Sequence, residues 1–134
     1  MTFSLKIVTP DGLIFDGQAE KLIVRTTTGD VCLLARHINA VFPLGMGQAI
    51  VEADGKRRTA ACIGGMLSVV DGAATLVPTT FEWSDQIDAD RAQRSLKRAE
   101  GILGNTGSTD AEIQLAEARL KRSLIRTSVA TRRF

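Results

Sequence analysis

The residues best suited to binding chemistry are crowded into the last third of the chain. The stretch "DQIDADRAQRSLKRAE" (85–100) holds Asp88, Arg91 and Arg98, and Arg119, Lys121, Arg122 and Arg126 follow further on. Residues 1–84 carry seven Lys/Arg and eight Asp/Glu, a net of −1, whereas residues 85–134 carry ten and seven, a net of +3. From Arg119 to the end there are six basic residues and no acidic one. Guanidinium groups offer planar, bidentate, charge-assisted donors to carboxylates and phosphates. Arg91 and Arg98 are seven residues apart, on one face of a helix, and Arg122 and Arg126 are one turn apart. A run of this kind is either a solvated face or a surface that meets an acidic protein or a phosphate-bearing ligand.

Catalytic apparatus is not on offer. The single histidine, His37, rules out a histidine metal cluster and reads as a surface or loop-packing residue in "ARHINA". No serine sits in a nucleophile elbow. The glycines of "LGMGQA" and "IGGML" match neither a P-loop nor a dinucleotide fingerprint and read instead as bulges or close strand packing. Neither catalytic residues nor metal ligands are therefore expected. Cys32 and Cys62 lie inside apolar runs without CxxC spacing, so small buried thiols in a reducing compartment are expected, with a disulfide as the alternative.

The elements that position these groups can be read from periodicity. In "FSLKIV", Phe3, Leu5 and Ile7 alternate with Ser4 and Lys6, the pattern of a half-buried strand. Turn signals recur at Asp11-Gly12, Asp16-Gly17, Gly29-Asp30, Asp54-Gly55, Gly64-Gly65 and Asp71-Gly72. Between them lie the strand-length runs "EKLIVRTT", "VCLLA", "GQAIVEA", "RTAACIG", "MLSVV" and "ATLVP". No βαβ pattern appears, so an antiparallel sandwich or flattened barrel is expected over 1–84, with no parallel sheet.

From Asp85 the period changes to that of a helix. Asp85 or Asp88 can cap its start. Ala92, Leu96, Ala99 and Leu103 form one narrow stripe, and Gly104, Asn105 and Gly107 in "GILGNTGS" provide the stop. Thr109 with Glu112 forms a capping box for a second helix, whose stripe is Ile113, Ala116, Leu120 and Leu124. The fold class is thus α+β: an N-terminal sandwich (1–84) followed by an antiparallel two-helix hairpin (85–134). No apolar run approaches the ~20 residues that span a bilayer, and the start lacks the marks of a signal peptide, so neither membrane insertion nor export is expected. An aromatic content of 4% leaves few stacking platforms, which weighs against a free-standing basic-tailed β-sandwich adaptor that binds nucleic acid, and one histidine is too few for a small β-sandwich enzyme of the cupin-like isomerase kind.

The order and spacing of "LKIVTPDGLIFDGQAEKLIV", "TTTGDVCLLARHINA", "GGMLSVVDGAATLV" and "IDADRA" resemble the epsilon subunit of the bacterial F-type ATP synthase along the whole chain. Ala35-Arg36 stands where that family usually has Pro-Gly, and "FPLGMG" departs from its usual Leu-x-x-Gly. The resemblance implies a noncatalytic rotor subunit on the cytoplasmic face of the plasma membrane. Its sandwich would sit against the gamma subunit and the c-ring, with the loop carrying Asp30 and His37 toward the polar loops of the ring. Its helical tail would lie folded or extend into the alpha and beta subunits of the catalytic head, where Arg119, Lys121, Arg122 and Arg126 would meet acidic beta-subunit segments and restrain ATP hydrolysis. No cofactor is implied, but ATP is implied as a regulatory ligand. The Ile/Leu-Asp-x-x-Arg-Ala motif of ATP-binding members is matched by Ile87, Asp88, Arg91 and Ala92, with Arg98, Arg122 and Arg126 completing the set. On the residues alone, Asp88 is equally an N-cap and Arg91 its i,i+3 neighbour.

Overall fold

A computed structural model describes residues 1–105, 107 and 109–131. Within it the chain divides into two compact units between Trp83 and Ser84.

The first unit holds ten strands: β1 (Phe3–Thr9), β2 (Gly12–Ala19), β3 (Lys21–Thr26), β4 (Gly29–Leu33), β5 (Ala40–Pro43), β6 (Met46–Ala53), β7 (Lys56–Ile63), β8 (Met66–Val70), β9 (Ala73–Val77) and β10 (Thr80–Trp83). They form two five-stranded sheets, ordered β2-β1-β9-β8-β5 and β10-β7-β6-β3-β4. The alternation in β1 is real: Phe3, Leu5, Ile7 and Thr9 are buried, while Ser4 and Lys6 are exposed. Leu5, Ile7, Leu22, Val24, Leu33, Val51, Leu67 and Leu76 are almost wholly buried, and the inward-facing residues of both sheets make one core. Burying a Leu, Ile or Val side chain is worth about 1.5–3 kcal/mol, so this layer carries the unit's stability. At the β10 edge Trp83 is packed edge-on against Phe81 at 4.9 Å, and the Arg58 guanidinium lies over its ring at 3.7 Å.

The Asp-Gly signals at 54–55 and 71–72 are two-residue hairpin turns. Both residues of each pair have positive φ (54° and 69°, 50° and 80°), the combination whose twist matches that of the flanking strands.

Five expectations for the first unit need correction. Gly29 and Asp30 open β4, and the turn falls at 27–28 just before them. Asp16 and Gly17 do not turn; they lie inside β2, paired with Lys6 and Leu5. Two other strands, β5 and β10, are only four residues long, too short for alternation to show. One strand pair is parallel: β1 runs with β9, Ser4 opposite Ala73 and Ile7 opposite Leu76. No helical crossover is needed there, because the intervening chain passes through both sheets before β9 returns beside β1. Finally, only Cys62 is buried. Cys32 is exposed on β4, one residue before the buried Leu33, and both thiols are free.

The second unit opens with a 3-10 turn at Ser84–Gln86, then α1 (Ala89–Leu103) and α2 (Asp110–Thr131). Ala92 and Ala99 are buried on α1, with Leu96 and Leu103 half-buried. Gly104 ends α1 in an ordinary right-handed conformation (φ −81°), its N–H bonded to the Glu100 carbonyl at 2.9 Å. Gly107 N–H donates to Asn105 Oδ1 at 3.0 Å in a local turn; Thr106 and Ser108 of the same connection lie outside the described residues. The Thr109 hydroxyl caps α2, accepting from Glu112 N–H at 3.2 Å and donating to Glu112 Oε1 at 3.1 Å. The stripe of α2 runs Ile113, Ala116, Leu120 and then Ser123, which is 2% exposed, not Leu124, which is 48% exposed. A 3.6-residue period permits either step, and the structure takes the step of three.

Burial pushes the Cys62 thiol up to about 12 by desolvation, whereas Cys32 is open to solvent. A thiol held neutral does not attack a disulfide reagent. At mildly alkaline pH the native protein should therefore release one equivalent from an aromatic disulfide reagent, through Cys32, and two equivalents once unfolded. Rapid release of two equivalents from the native state would contradict this packing.

Candidate functional site

Asp88 is the N-cap of α1. Its backbone is extended (φ −78°, ψ 98°), its Oδ1 accepts from Arg91 N–H at 3.0 Å, and its carbonyl accepts from Ala92 N–H at 3.0 Å. The cap uses one carboxylate oxygen, and a carboxylate has about four acceptor sites, so Asp88 retains capacity for a second partner. Ile87 is half-buried just ahead of the helix, and Ala92 is buried in the stripe.

Arginines flank the stripes of both helices. On α1 each stripe residue Ala92, Leu96, Ala99 and Leu103 is preceded by Arg91, Ser95, Arg98 or Ile102. On α2 the stripe residues Leu120, Ser123 and Thr127 are preceded by Arg119, Arg122 and Arg126. In an antiparallel pair of right-handed helices whose stripes face one another, the residue before each stripe member projects to the same side of the pair. Arg91, Arg98, Arg119, Arg122 and Arg126 thus belong to one side of the hairpin.

Their levels also correspond. Arg91 lies twelve residues before the end of α1, and Arg122 twelve after the start of α2; for Asp88 and Arg126 the counts are fifteen and sixteen. At 1.5 Å per residue these pairs stand level, while Arg98 stands about 10 Å nearer the turn. Arg91, Arg98 and Arg119 are exposed, Arg122 and Arg126 half-buried. Among the described residues, Arg91, Arg98, Arg119, Lys121 and Arg122 take no part in an ion pair within 4.0 Å. Lys121 is exposed two residues from Arg119, off this side of the helix. Arg132 and Arg133, which complete the basic end, lie outside the described residues. Asp90 is exposed in the first turn of α1, where a negative charge favours the helix dipole.

Asp30 and His37 belong to the first unit. Asp30 faces Arg25 across the β3–β4 hairpin, with Arg25 Nε donating to Asp30 Oδ1 at 2.6 Å. His37 lies in the loop after β4. Its Nδ1 is 2.8 Å from the Ile38 carbonyl, and its ring meets Phe42 edge-on at 6.0 Å. His37 is half-buried, while Ile38 beside it is 77% exposed. Sequence reasoning missed both Arg25 and Ile38; the Arg25–Asp30 pairing follows from the hairpin register, which becomes visible only once the turn at 27–28 is located.

Among the described residues no group of three His, Cys, Asp or Glu side chains could hold a metal ion, and no helix is long and apolar enough to cross a membrane.

Two residues near this loop carry backbone consequences. Arg36 has φ 65°, a left-handed conformation that costs a non-glycine residue about 1–2 kcal/mol. Replacing it with glycine, which adds back some chain entropy, should raise stability by about 0.5–1 kcal/mol in urea unfolding. At Gly47 an added Cβ would lie 2.5 Å from Arg25 Cβ. Gly47→Ala should destabilise by about 1–3 kcal/mol, as overpacking does.

Comparison with known proteins matches both units. The beta-sandwich domain of the ATP synthase delta/epsilon chain matches residues 2–84, and the long alpha-helix domain of the same chain matches residues 85–131. The ATP synthase epsilon chain of Ruminococcus albus is 39% identical over 132 residues, covering 98% of both chains. That of Bacillus velezensis is 39% identical over 129 residues, covering 96% of this chain and 97% of its own. In a cryo-EM structure of the Euglena gracilis mitochondrial ATP synthase, one chain superposes with a TM-score of 0.85 over 98% of this chain and 82% of its own; at 22% identity, that likeness speaks for the fold. With both domains matched in order and bacterial epsilon chains aligned from end to end, this chain belongs to the ATP synthase delta/epsilon chain family.

Proposed function

We propose that the protein is the noncatalytic epsilon subunit of a bacterial F-type ATP synthase. It acts in the central stalk at the cytoplasmic face of the plasma membrane, where it helps couple ion-driven rotation of the c-ring to ATP synthesis. The observation that carries this reading is the match of the sandwich and the helical pair, in order, to the two domains of one family over residues 2–131. The sandwich serves as the rotor-docking part, against gamma and the c-ring, with Asp30 and His37 on the ring-facing side. The hairpin serves as the regulatory part, folded in one state and extended toward the alpha and beta subunits in the other.

ATP is the ligand of the folded hairpin in this proposal. The arginine side formed by Arg91, Arg98, Arg122 and Arg126 supplies donors for the triphosphate, and Asp88 keeps carboxylate capacity for the adenine amino group. Only the closed hairpin brings both helices' arginines together, so ATP favours the closed state by its differential affinity. Arg122 and Arg126 also belong to the proposed beta-docking set with Arg119 and Lys121. An arginine bound to a phosphate cannot at the same time bind a beta-subunit carboxylate, so ATP binding and inhibitory docking exclude each other.

This exclusivity makes the two roles separable. Isothermal calorimetry on the isolated protein should show ATP binding, weakened at least about tenfold by Arg91→Ala and by Arg126→Ala, the loss of a charged hydrogen bond in each case. In the reconstituted complex, Arg122→Ala with Arg126→Ala should raise the ATPase rate by removing docking. Arg91→Ala should instead keep the complex inhibited at ATP concentrations that release the wild type. Absence of binding heat at millimolar ATP would remove the nucleotide from this mechanism; an unchanged ATPase rate for the double variant, still fully assembled, would remove the docking.

A further inference from the structure

We infer that Arg25 is a positioning residue for Asp30, and that the β3–β4 hairpin meets its partner as a neutral Arg25–Asp30 pair rather than through a lone carboxylate. This rests on the proposed placement of that hairpin against the polar loops of the c-ring.

The pair is held from both ends. Arg25 and Asp30 are directly opposite in the β3–β4 register, with Nε to Oδ1 at 2.6 Å and Nη2 to Oδ2 at 3.5 Å. The backbone of Arg25 is tied to the start of β6, since its carbonyl accepts from Gly45 N–H at 3.0 Å. Its stem lies flat over that strand, because Gly47 has no Cβ to meet Arg25 Cβ at 2.5 Å and Cγ at 3.1 Å. At Gly45, an added Cβ would press on the Thr26 carbonyl at 3.2 Å. The Asp30 end is fixed by the turn: the Thr26 hydroxyl donates to the Gly29 carbonyl at 2.6 Å and accepts from Thr28 N–H at 3.3 Å.

Arg25 and Asp30 are 52% and 57% exposed, so the pair adds little to folding stability. What the arrangement supplies is orientation and charge compensation. The guanidinium keeps free N–H donors and the carboxylate keeps free lone pairs, side by side at a fixed spacing. That surface suits a partner offering uncharged donors and acceptors, such as loop amides and backbone groups. It has no need of a cation on the ring to balance Asp30.

A double-mutant cycle tests this, read as affinity of the full chain for a gamma–c-ring complex and, separately, for gamma alone. Arg25→Ala and Asp30→Ala should each weaken binding to the gamma–ring complex about fivefold, the upper range for an exposed charged pair. The double variant should be no weaker than either single one, and binding to gamma alone should be unchanged throughout. If the two losses multiply, or if Arg25→Ala has no effect while Asp30→Ala does, the two residues act separately and the inference is overturned. Equal losses with gamma alone would also overturn it, by assigning the effect to another surface. If Asp30→Ala has no effect on a gamma–ring complex that the wild type binds, the ring-facing placement itself is wrong and the inference falls with it.

Discussion

The fold depends on a close approach of backbones at Gly65. An added Cβ there would run into the Val77 carbonyl and Pro78, so only glycine fits, and its φ of 96° also lies in territory that other residues rarely adopt. This is where the chain leaves β7 in one sheet and enters β8 in the other. The neighbouring groups lock on to the same corner: Leu44 N–H donates to the Gly65 carbonyl at 2.8 Å, Gly64 N–H to the Gly45 carbonyl at 3.0 Å, and Gly45 N–H to the Arg25 carbonyl at 3.0 Å. The crossing from β5 to β6 is therefore tied to the crossing from β7 to β8. The position of β6 then decides where Arg25 can lie, and Arg25 decides how Asp30 is presented. A constraint on one Cβ thus reaches the candidate ring-facing hairpin through these three backbone hydrogen bonds.

The helical unit is made in a different way. Its buried residues, among those described, are Ala92, Ala99, Ala116, Ser123 and Val129, and all but Val129 bury far less apolar area than a leucine would. Local devices compensate: the Asp88 cap on α1 and the Thr109–Glu112 box on α2 satisfy exposed helix-end N–H groups, each worth about 1 kcal/mol. These caps are local to each helix and would survive separation of the two. Individually capped helices with mainly small side chains fully buried between them contrast with the leucine- and valine-filled sandwich.

The sequence revealed most where one residue type has one structural use. Asp54-Gly55 and Asp71-Gly72 were readable because positive φ at two successive positions is nearly confined to such pairs. Asp16-Gly17 carried the same signal and misled, because a strand also tolerates Asp on its exposed face, here opposite Lys6, and Gly opposite a buried partner, here Leu5. The strands β5 and β10 were illegible for want of length, and the β1–β9 pairing because nothing local records which strand lies beside which. Exposure of Cys32 depended on the phase of β4, which is set by Leu33 facing inward, and five residues fix that phase weakly.

At the candidate site, the composition of the arginine set was legible and its arrangement only half so. The heptad spacing of Arg91 and Arg98 and the single turn between Arg122 and Arg126 were visible, but whether the two groups share a side depends on which residues form the stripe of α2. Had Leu124 been the buried residue, the flanking position would have been Ser123, and Arg122 would have turned a further 100° from the seam. Burial of Ser123 brings Arg122 and Arg126 directly beside it. One small polar side chain at a buried position thus aligns the basic side of the hairpin. Filling that position with a larger residue would press the helices apart and turn the two arginines away from Arg91, even with every guanidinium still present.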